Sequence, residues 1–399
     1  MASLKQLFYD HQGRTSDAPI GIEIINSEGI YLYDKKGKDY IDLVSGVSVS
    51  NLGHKHPKII KAIKDQLDKY SHLMVYGEFI QEPQVRFAEL LAQNIPDPLS
   101  ATYFVNSGSE AIEGALKLAK RYTGRSEILA FNNAYHGSTH GAMSVMGSEF
   151  FKTAYRPLLP NIGFMEFNNI HDLSRITEKT ACVLVEPIQG EGGIISPKND
   201  FLKKLRTACD ATGTLLIFDE IQTGFGRTGS LFAFQKYDVI PDIFTIAKAM
   251  GGGMPIGGFV SSNKIMNTLT HNPVLGHITT FGGHPVSAAS ALANLKILIA
   301  EPELINLAEQ KAQLFRSQLE NIKAIKEIRS DGLYMAIDLG TDYNIDILMQ
   351  EMYNQGIISD LFLFYEGAFR ISPPLIITEE EILEACNRIK RSFEIVEKK

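Results

Sequence analysis

The chain has 399 residues, 44% apolar and 21% charged, and a net charge of −7. That length predicts two or three lobes around a sizeable buried interior. The 39 basic and 46 acidic residues form no Lys/Arg block, which argues against a nucleic-acid partner. Cys182, Cys209 and Cys386 are too widely spaced for a disulfide scaffold or a zinc site. No run of 18 apolar residues is present, and the first ten residues include Lys5, Gln6 and Asp10. Neither a membrane span nor a secretory leader is therefore expected, and a cytoplasmic location is.

In chain order, residues 20–43 predict short strands, with Ile22, Ile24, Tyr31 and Tyr33 alternating and turns at Gly29 and Gly37. Residues 57–70 predict a helix opened by Pro57, with Ile59, Ile60, Ile63 and Leu67 on one side. From about 100 to 260, apolar runs at 103–105, 128–131, 182–185, 215–218, 243–246 and 258–260 alternate with helical stretches such as 109–122 and 199–211. This alternation predicts an α/β domain with a mainly parallel sheet covered on both faces. Residues 284–320 read as mainly helical. Strand, helix and helix follow at 332–339, 345–355 and 378–397, as in an α+β lobe.

Ligands of α/β sheets bind beyond the carboxyl ends of the strands, so polar residues there come first. Ser107, Gly108 and Ser109 follow the 103–105 run and open a helix. Ser107 and Glu110 have capping-box spacing, Gly108 admits a close ligand, and the free N–H groups suit a phosphate. A capped helix without a ligand is the plainer reading. Asp219 ends an apolar run, where an unpartnered carboxylate is costly. Metal ligation, nucleotide binding, pairing with a protonated ring nitrogen and helix capping all stay open for it. Lys248 lies between Ala247 and Ala249, before Gly251-Gly252-Gly253. Desolvation there would free its amine as a nucleophile, although a lone lysine is more commonly a surface residue. Tyr135-His136-Gly137 suits stacking on a planar ligand or a packed turn. Arg370, in Phe369-Arg370-Ile371-Ser372-Pro373-Pro374, suits a carboxylate or a structural ion pair. His54 and His56 lack a third ligand, and no metal is expected.

Four longer motifs join these pieces. They are Val185-Glu186-Pro187-Ile188-Gln189-Gly190-Glu191-Gly192-Gly193, the run from Phe218-Asp219-Glu220-Ile221-Gln222-Thr223 to Gly229, Thr279-Thr280-Phe281-Gly282-Gly283-His284-Pro285, and the Arg370 segment. In this order they resemble the class III pyridoxal-phosphate-dependent aminotransferases, over roughly residues 21–395. The resemblance implies fold type I: a large cofactor domain at 51–300, a small domain from residues 1–50 and 301–399, and a homodimer. It also implies roles. Lys248 would carry pyridoxal 5'-phosphate as a Schiff base, Asp219 would pair with the ring nitrogen, and Ile221 and Tyr135 would pack on the ring. Ser107, Gly108 and Ser109 would hold the phosphate with Thr280 of the other subunit. Gln222 would bond the phenolic oxygen, and Glu186 would support the site near His136.

Members acting on acetylornithine, ornithine or 4-aminobutyrate pass a terminal amine to 2-oxoglutarate. An arginine matching Arg370 binds the glutamate α-carboxylate there, and a glutamate matching Glu191 neutralises it while the amine is bound. The implied partners are thus a small amine and a 2-oxo acid. This chain departs from those members at Ser138, where they carry an arginine for a distal carboxylate, and at Val47, where ornithine-specific members carry a tyrosine. Thr279 is a further candidate at the substrate site. Competing readings are an aminotransferase for a different amine, an aminomutase or racemase of the same family, and a non-catalytic cofactor-binding protein.

Overall fold

The computed structural model describes residues 2–398; positions 1 and 399, the outer ends of the expected small domain, lie outside them. Near the N-terminus, β1 (Ile24–Glu28), β2 (Tyr31–Asp34) and β3 (Asp39–Asp42) form an antiparallel meander. Helix Pro57–Lys69 follows, with proline at its start, where its missing N–H costs nothing. Ile59 is buried as the spacing predicts, but Leu67 is 52% exposed, and Gln66 takes the inner position instead. Gln66 satisfies itself by donating to the Tyr70 carbonyl at 3.0 Å.

The central layer is a seven-stranded sheet. Its strands are β4 (Ala101–Val105), β5 (Glu127–Phe131), β6 (Ile162–Met165), β7 (Thr180–Val185), β8 (Leu215–Asp219), β9 (Ile243–Ile246) and β10 (Gly257–Ser261). Their order is β4-β10-β9-β8-β7-β5-β6, and the β9–β8–β7–β5–β6 pairings are parallel. Strand β10 runs antiparallel to both its neighbours. Every residue of β7, β8, β9 and β10 is buried, as two helix-covered faces require. The apolar runs locate six of these strands. The seventh, β6, is a partly buried edge strand with Gly163 in its middle, and so gives no continuous apolar signal.

Two smaller sheets complete the frame. One adds β13 (Ile357–Ile358) parallel to β3, joining the two ends of the chain. The other contains β11 (Glu327–Ser330), β12 (Met335–Asp338) and β14 (Ala368–Ile371), all antiparallel. Helix Pro285–Ala300 packs on Pro57–Lys69 and on Glu82–Ala92, and helix Glu379–Glu397 closes the C-terminal part against Ala308–Leu319 and Ile345–Asn354. Among the described residues, no helix is long and apolar enough to cross a membrane.

Helix Gly108–Thr123 lies on β10 through Gly114, where an added Cβ would collide with the Phe259 ring. That ring is stacked on Tyr103 at 4.9 Å and has little room to yield. Gly114→Ala should therefore destabilise the protein. The helix-propensity gain of about 1 kcal/mol is outweighed by overpacking of about 1–3 kcal/mol or more. A urea midpoint equal to or above wild type contradicts this packing account.

Candidate active site

The carboxyl ends of β4, β7, β8 and β9 surround a cavity of about 450 Å³, a usual size for a small-molecule site. Asp219 is the last residue of β8 and is buried. Its Oδ1 accepts from the Ile221 N–H at 3.0 Å and the Thr245 hydroxyl at 3.4 Å, and its Oδ2 lies 2.7 Å from His136 Nδ1. His136 Nε2 is buried with no protein partner. Lys248 follows β9 in the left-handed region at φ +46°, a conformation costing about 1–3 kcal/mol for a non-glycine residue. Desolvation pushes its amine below the ordinary lysine value; Glu191 opposes that shift and Arg370 adds to it. Glu186 is buried close by, and desolvation, then Asp219 and Glu191, push its carboxyl well above the ordinary range.

The opposite wall is the start of helix Gly108–Thr123. Ser107 Oγ accepts from the Glu110 N–H at 3.2 Å. Glu110 reaches back to the N–H of Asn106 at 2.7 Å, one residue earlier than a standard capping box. Ser107, Gly108 and Ser109 at this helix start line the cavity, at the positive end of the helix dipole, where the first N–H groups have no helical partner. A Cβ on Gly108 would stand 2.9 Å from Ile221 Cδ1, so only glycine leaves both the backbone and Ile221 in place.

Arg370, on β14, is 1% exposed and closes a triangle of side chains. Its Nη2 meets Glu191 Oε1 at 2.7 Å, its Nη1 donates to Gln222 Oε1 at 2.9 Å, and Gln222 Nε2 donates to Glu191 Oε1 at 3.1 Å. Burial works against ionisation of Glu191, but the Arg370 charge and the side-chain hydrogen bonds hold its carboxyl below its ordinary range.

Ser107, Gly108, Ser109, Tyr135, His136, Glu186, Asp219, Ile221, Gln222 and Lys248 all line the cavity. Glu191 and Arg370 stand behind Gln222, outside the lining. Ser138 is exposed, with its Oγ 3.1 Å from the Tyr135 hydroxyl. Thr279 accepts from Asn106 Nδ2 at 2.8 Å, while Thr280 is exposed. Val47 is 38% exposed and holds φ +64°, an outlier for a β-branched residue. Sequence reasoning missed Val49, Met254, Pro255 and Ile256 in the lining, although the three-glycine turn before Met254 pointed to that segment. It also missed Tyr334, whose buried hydroxyl lies against Gly190 and whose ionisation desolvation pushes well up.

A buried amine, a carboxylate–imidazole pair and an open helix N-terminus around one cavity form a donor set that fits pyridoxal phosphate. The comparisons agree. The family model described as aminotransferase class-III matches residues 12–393. This chain belongs to the class III aminotransferases. It is 40% identical to the acetylornithine aminotransferase of Clostridium acetobutylicum, over 92% of this chain and 95% of that protein. It is 37% identical to the [LysW]-aminoadipate semialdehyde/glutamate semialdehyde transaminase of Sulfolobus acidocaldarius, over 95% and 96% of the two chains. Among solved structures, the ornithine aminotransferase of Toxoplasma gondii, with partial occupancy of pyridoxal phosphate at its active site, superposes with a TM-score of 0.89. That match has 30% identity and covers 98% of this chain and 93% of the other. As a class III aminotransferase, the protein is a pyridoxal-phosphate-dependent enzyme that exchanges an amino group between an amine and a 2-oxo acid.

The Arg370–Glu191 pair gives a stability prediction. Glu191→Gln leaves a buried arginine without its counter-charge and should cost about 3–5 kcal/mol. The Glu191 carboxyl titrates below its ordinary value of 4.5 in the folded protein. Its contribution is therefore fully present above that pH and is lost as pH falls through the folded value. Urea unfolding of both proteins from pH 7 down to pH 3 checks this. A gap that stays constant across that range is the contrary result.

Proposed function

We propose that this aminotransferase takes a terminal amine from an acetylornithine- or ornithine-like donor and passes it to 2-oxoglutarate in two half-reactions at one site. The carrying observation is Arg370, neutralised by Glu191 within one side chain of the cavity that holds Lys248. With Glu191 on Arg370, the site accepts an uncharged end of a substrate. With Glu191 displaced, Arg370 is free to hold the α-carboxylate of glutamate in bidentate fashion.

Bound pyridoxal phosphate supplies an electron sink for charge left on the substrate carbon. The protein's own groups do the rest. Gly108 and Ser109 would hold the phosphate at the helix N-terminus, next to Ser107 and with Thr280 of a second copy of this chain. Asp219, steadied by His136, would pair with the ring nitrogen. Ile221 and Tyr135 would pack against the bound ring, Gln222 would bond its phenolic oxygen, and Glu186 would brace the pocket beside His136. Lys248 would anchor the cofactor and then move a proton at the substrate carbon, and burial holds its amine below the ordinary lysine value, the direction that favours a base. A homodimer is supported by exposed apolar residues: Val274 and Phe281 lie in the same segment as Thr280, and Phe79, next to exposed Ile80, lines one cavity with Gly282.

The donor's far end is read from Ser138. The cavity lining contains no arginine, and Ser138 bonds only neutral groups. We therefore assign a donor that lacks a distal carboxylate or seats it elsewhere, with Val47 and Thr279 at the substrate entrance.

Addition of L-glutamate to the purified holoenzyme should convert its visible absorbance to that of the pyridoxamine form. An unchanged spectrum removes glutamate as a substrate and favours another amino donor or an isomerase. Lys248→Ala should lower turnover by roughly 10²–10⁴-fold, the scale of general acid–base catalysis. Arg370→Ala should raise KM for glutamate far more than for the amine, and equal losses would sink the switch. Ser138→Arg should lower KM for acetylornithine by about tenfold or more, the worth of a charged hydrogen bond. No gain would show that Ser138 does not face the donor.

A further inference from the structure

The strand that carries Arg370 is half of a hairpin. The Arg370 N–H donates to the Asp360 carbonyl at 2.8 Å, Ser359 Oγ donates to the Arg370 carbonyl at 2.6 Å, and Leu361 pairs with Phe369. The connecting turn folds back over the ion pair. The Phe362 ring centre lies 4.8 Å from the Arg370 guanidinium. The Leu363 N–H donates to Glu191 Oε2 at 3.2 Å, and the Phe364 N–H donates to the Glu191 carbonyl at 3.1 Å. The turn is itself held from behind. Phe364 meets Phe151 edge-on at 5.6 Å, and the Tyr365 hydroxyl donates to Asp338 Oδ2 at 2.8 Å. One hairpin thus supplies both the cation and the donor that steadies its counter-ion.

We infer that this turn is a latch: the Leu363 N–H holds Glu191 on Arg370 and so sets the balance between amine and carboxylate substrates. The inference rests on Arg370 being the carboxylate site proposed above. The backbone around Glu191 is pinned by Phe364, and by the Gly193 and Ile194 N–H groups, which donate to the Gly190 carbonyl. An incoming carboxylate therefore displaces the Glu191 side chain by rotation. The ion pair that Oε1 gives up is exchanged for another, because the substrate takes over Arg370. The Leu363 bond at Oε2 has no such exchange, so its whole free energy favours the amine-accepting arrangement. Leu363 is positioned for this by its backbone alone, since its side chain is 45% exposed.

The test is calorimetric binding of glutarate, a dicarboxylate without an amine, to the holoenzyme. Leu363→Pro removes the N–H, and Leu363→Ala keeps it. The proline variant should bind glutarate roughly three- to tenfold more tightly, the weight of one hydrogen bond, and its KM for the amine donor should rise. The alanine variant should match wild type. Equal affinity in Leu363→Pro and wild type overturns the latch, as does the same shift in both variants. Where Leu363→Pro does not fold, Phe151→Ala decides, since it loosens the turn behind Phe364 without touching Glu191. Tighter glutarate binding there supports the latch, and unchanged binding refutes it. Glutarate that binds wild type and Arg370→Ala alike removes the Arg370 reading and the latch with it. Loss confined to Arg370→Ala, with no response at position 363 or 151, removes the latch alone.

Discussion

Asp219 closes a strand whose other four residues are buried and apolar, so its charge must be answered from inside the protein. A buried carboxylate without partners is costly, and the surrounding structure supplies the Ile221 N–H, the Thr245 hydroxyl and His136. Each comes from a different strand or strand-end loop. The sheet order β9-β8-β7-β5 makes them neighbours, with His136 supplied by the loop after β5. The same order brings Glu186, from the end of β7, and Lys248, from just past β9, to the two sides of Asp219. The position of the site follows from the topology of the sheet.

A second buried charge lies on the C-terminal side. Arg370 is held by Glu191 and Gln222, which lie just beyond β7 and β8. The ion pair therefore links the small three-stranded sheet to the central one. Buried pairs add little net stability, but they become severe liabilities when one partner is lost. A pair with that property suits a site whose cation is offered to a substrate, because the cation stays neutralised until a competing carboxylate arrives.

Backbone strain gathers in the same region. Lys248 sits at φ +46°, and Ser45, Val47 and Ser48 also hold positive φ beside Val49, which lines the cavity. Such conformations persist only where the surroundings over-determine them. Here Ser45 is tied to the Ser372 carbonyl at 2.7 Å, and Asn51 to the Phe225 carbonyl at 3.2 Å.

Six strands of the central sheet, the helices at 57–69, 108–123 and 201–212, and the group of cavity residues were legible in the sequence. Five of those strands lie inside the sheet, buried on both faces, and must be continuous in apolar residues; the sixth, the edge strand β4, is only partly buried but keeps the run Tyr103-Phe104-Val105, while glycine and small residues mark where the backbone comes close to a ligand. The edge strand β6 is interrupted by Gly163, and β13 is only two residues long, so neither carries a continuous apolar run. The motifs also put Glu191, Gln222 and Arg370 in the same reading, but not their closed triangle. The two contacts of Arg370 in it span 148 and 179 residues and exist only once the small sheet docks on the large one. Tyr334 and the Leu363 N–H were illegible for a stronger reason. A tyrosine beside Leu333 reads as core, and a backbone N–H has no residue identity at all. What a main-chain donor can bind is decided only by where the tertiary fold points it.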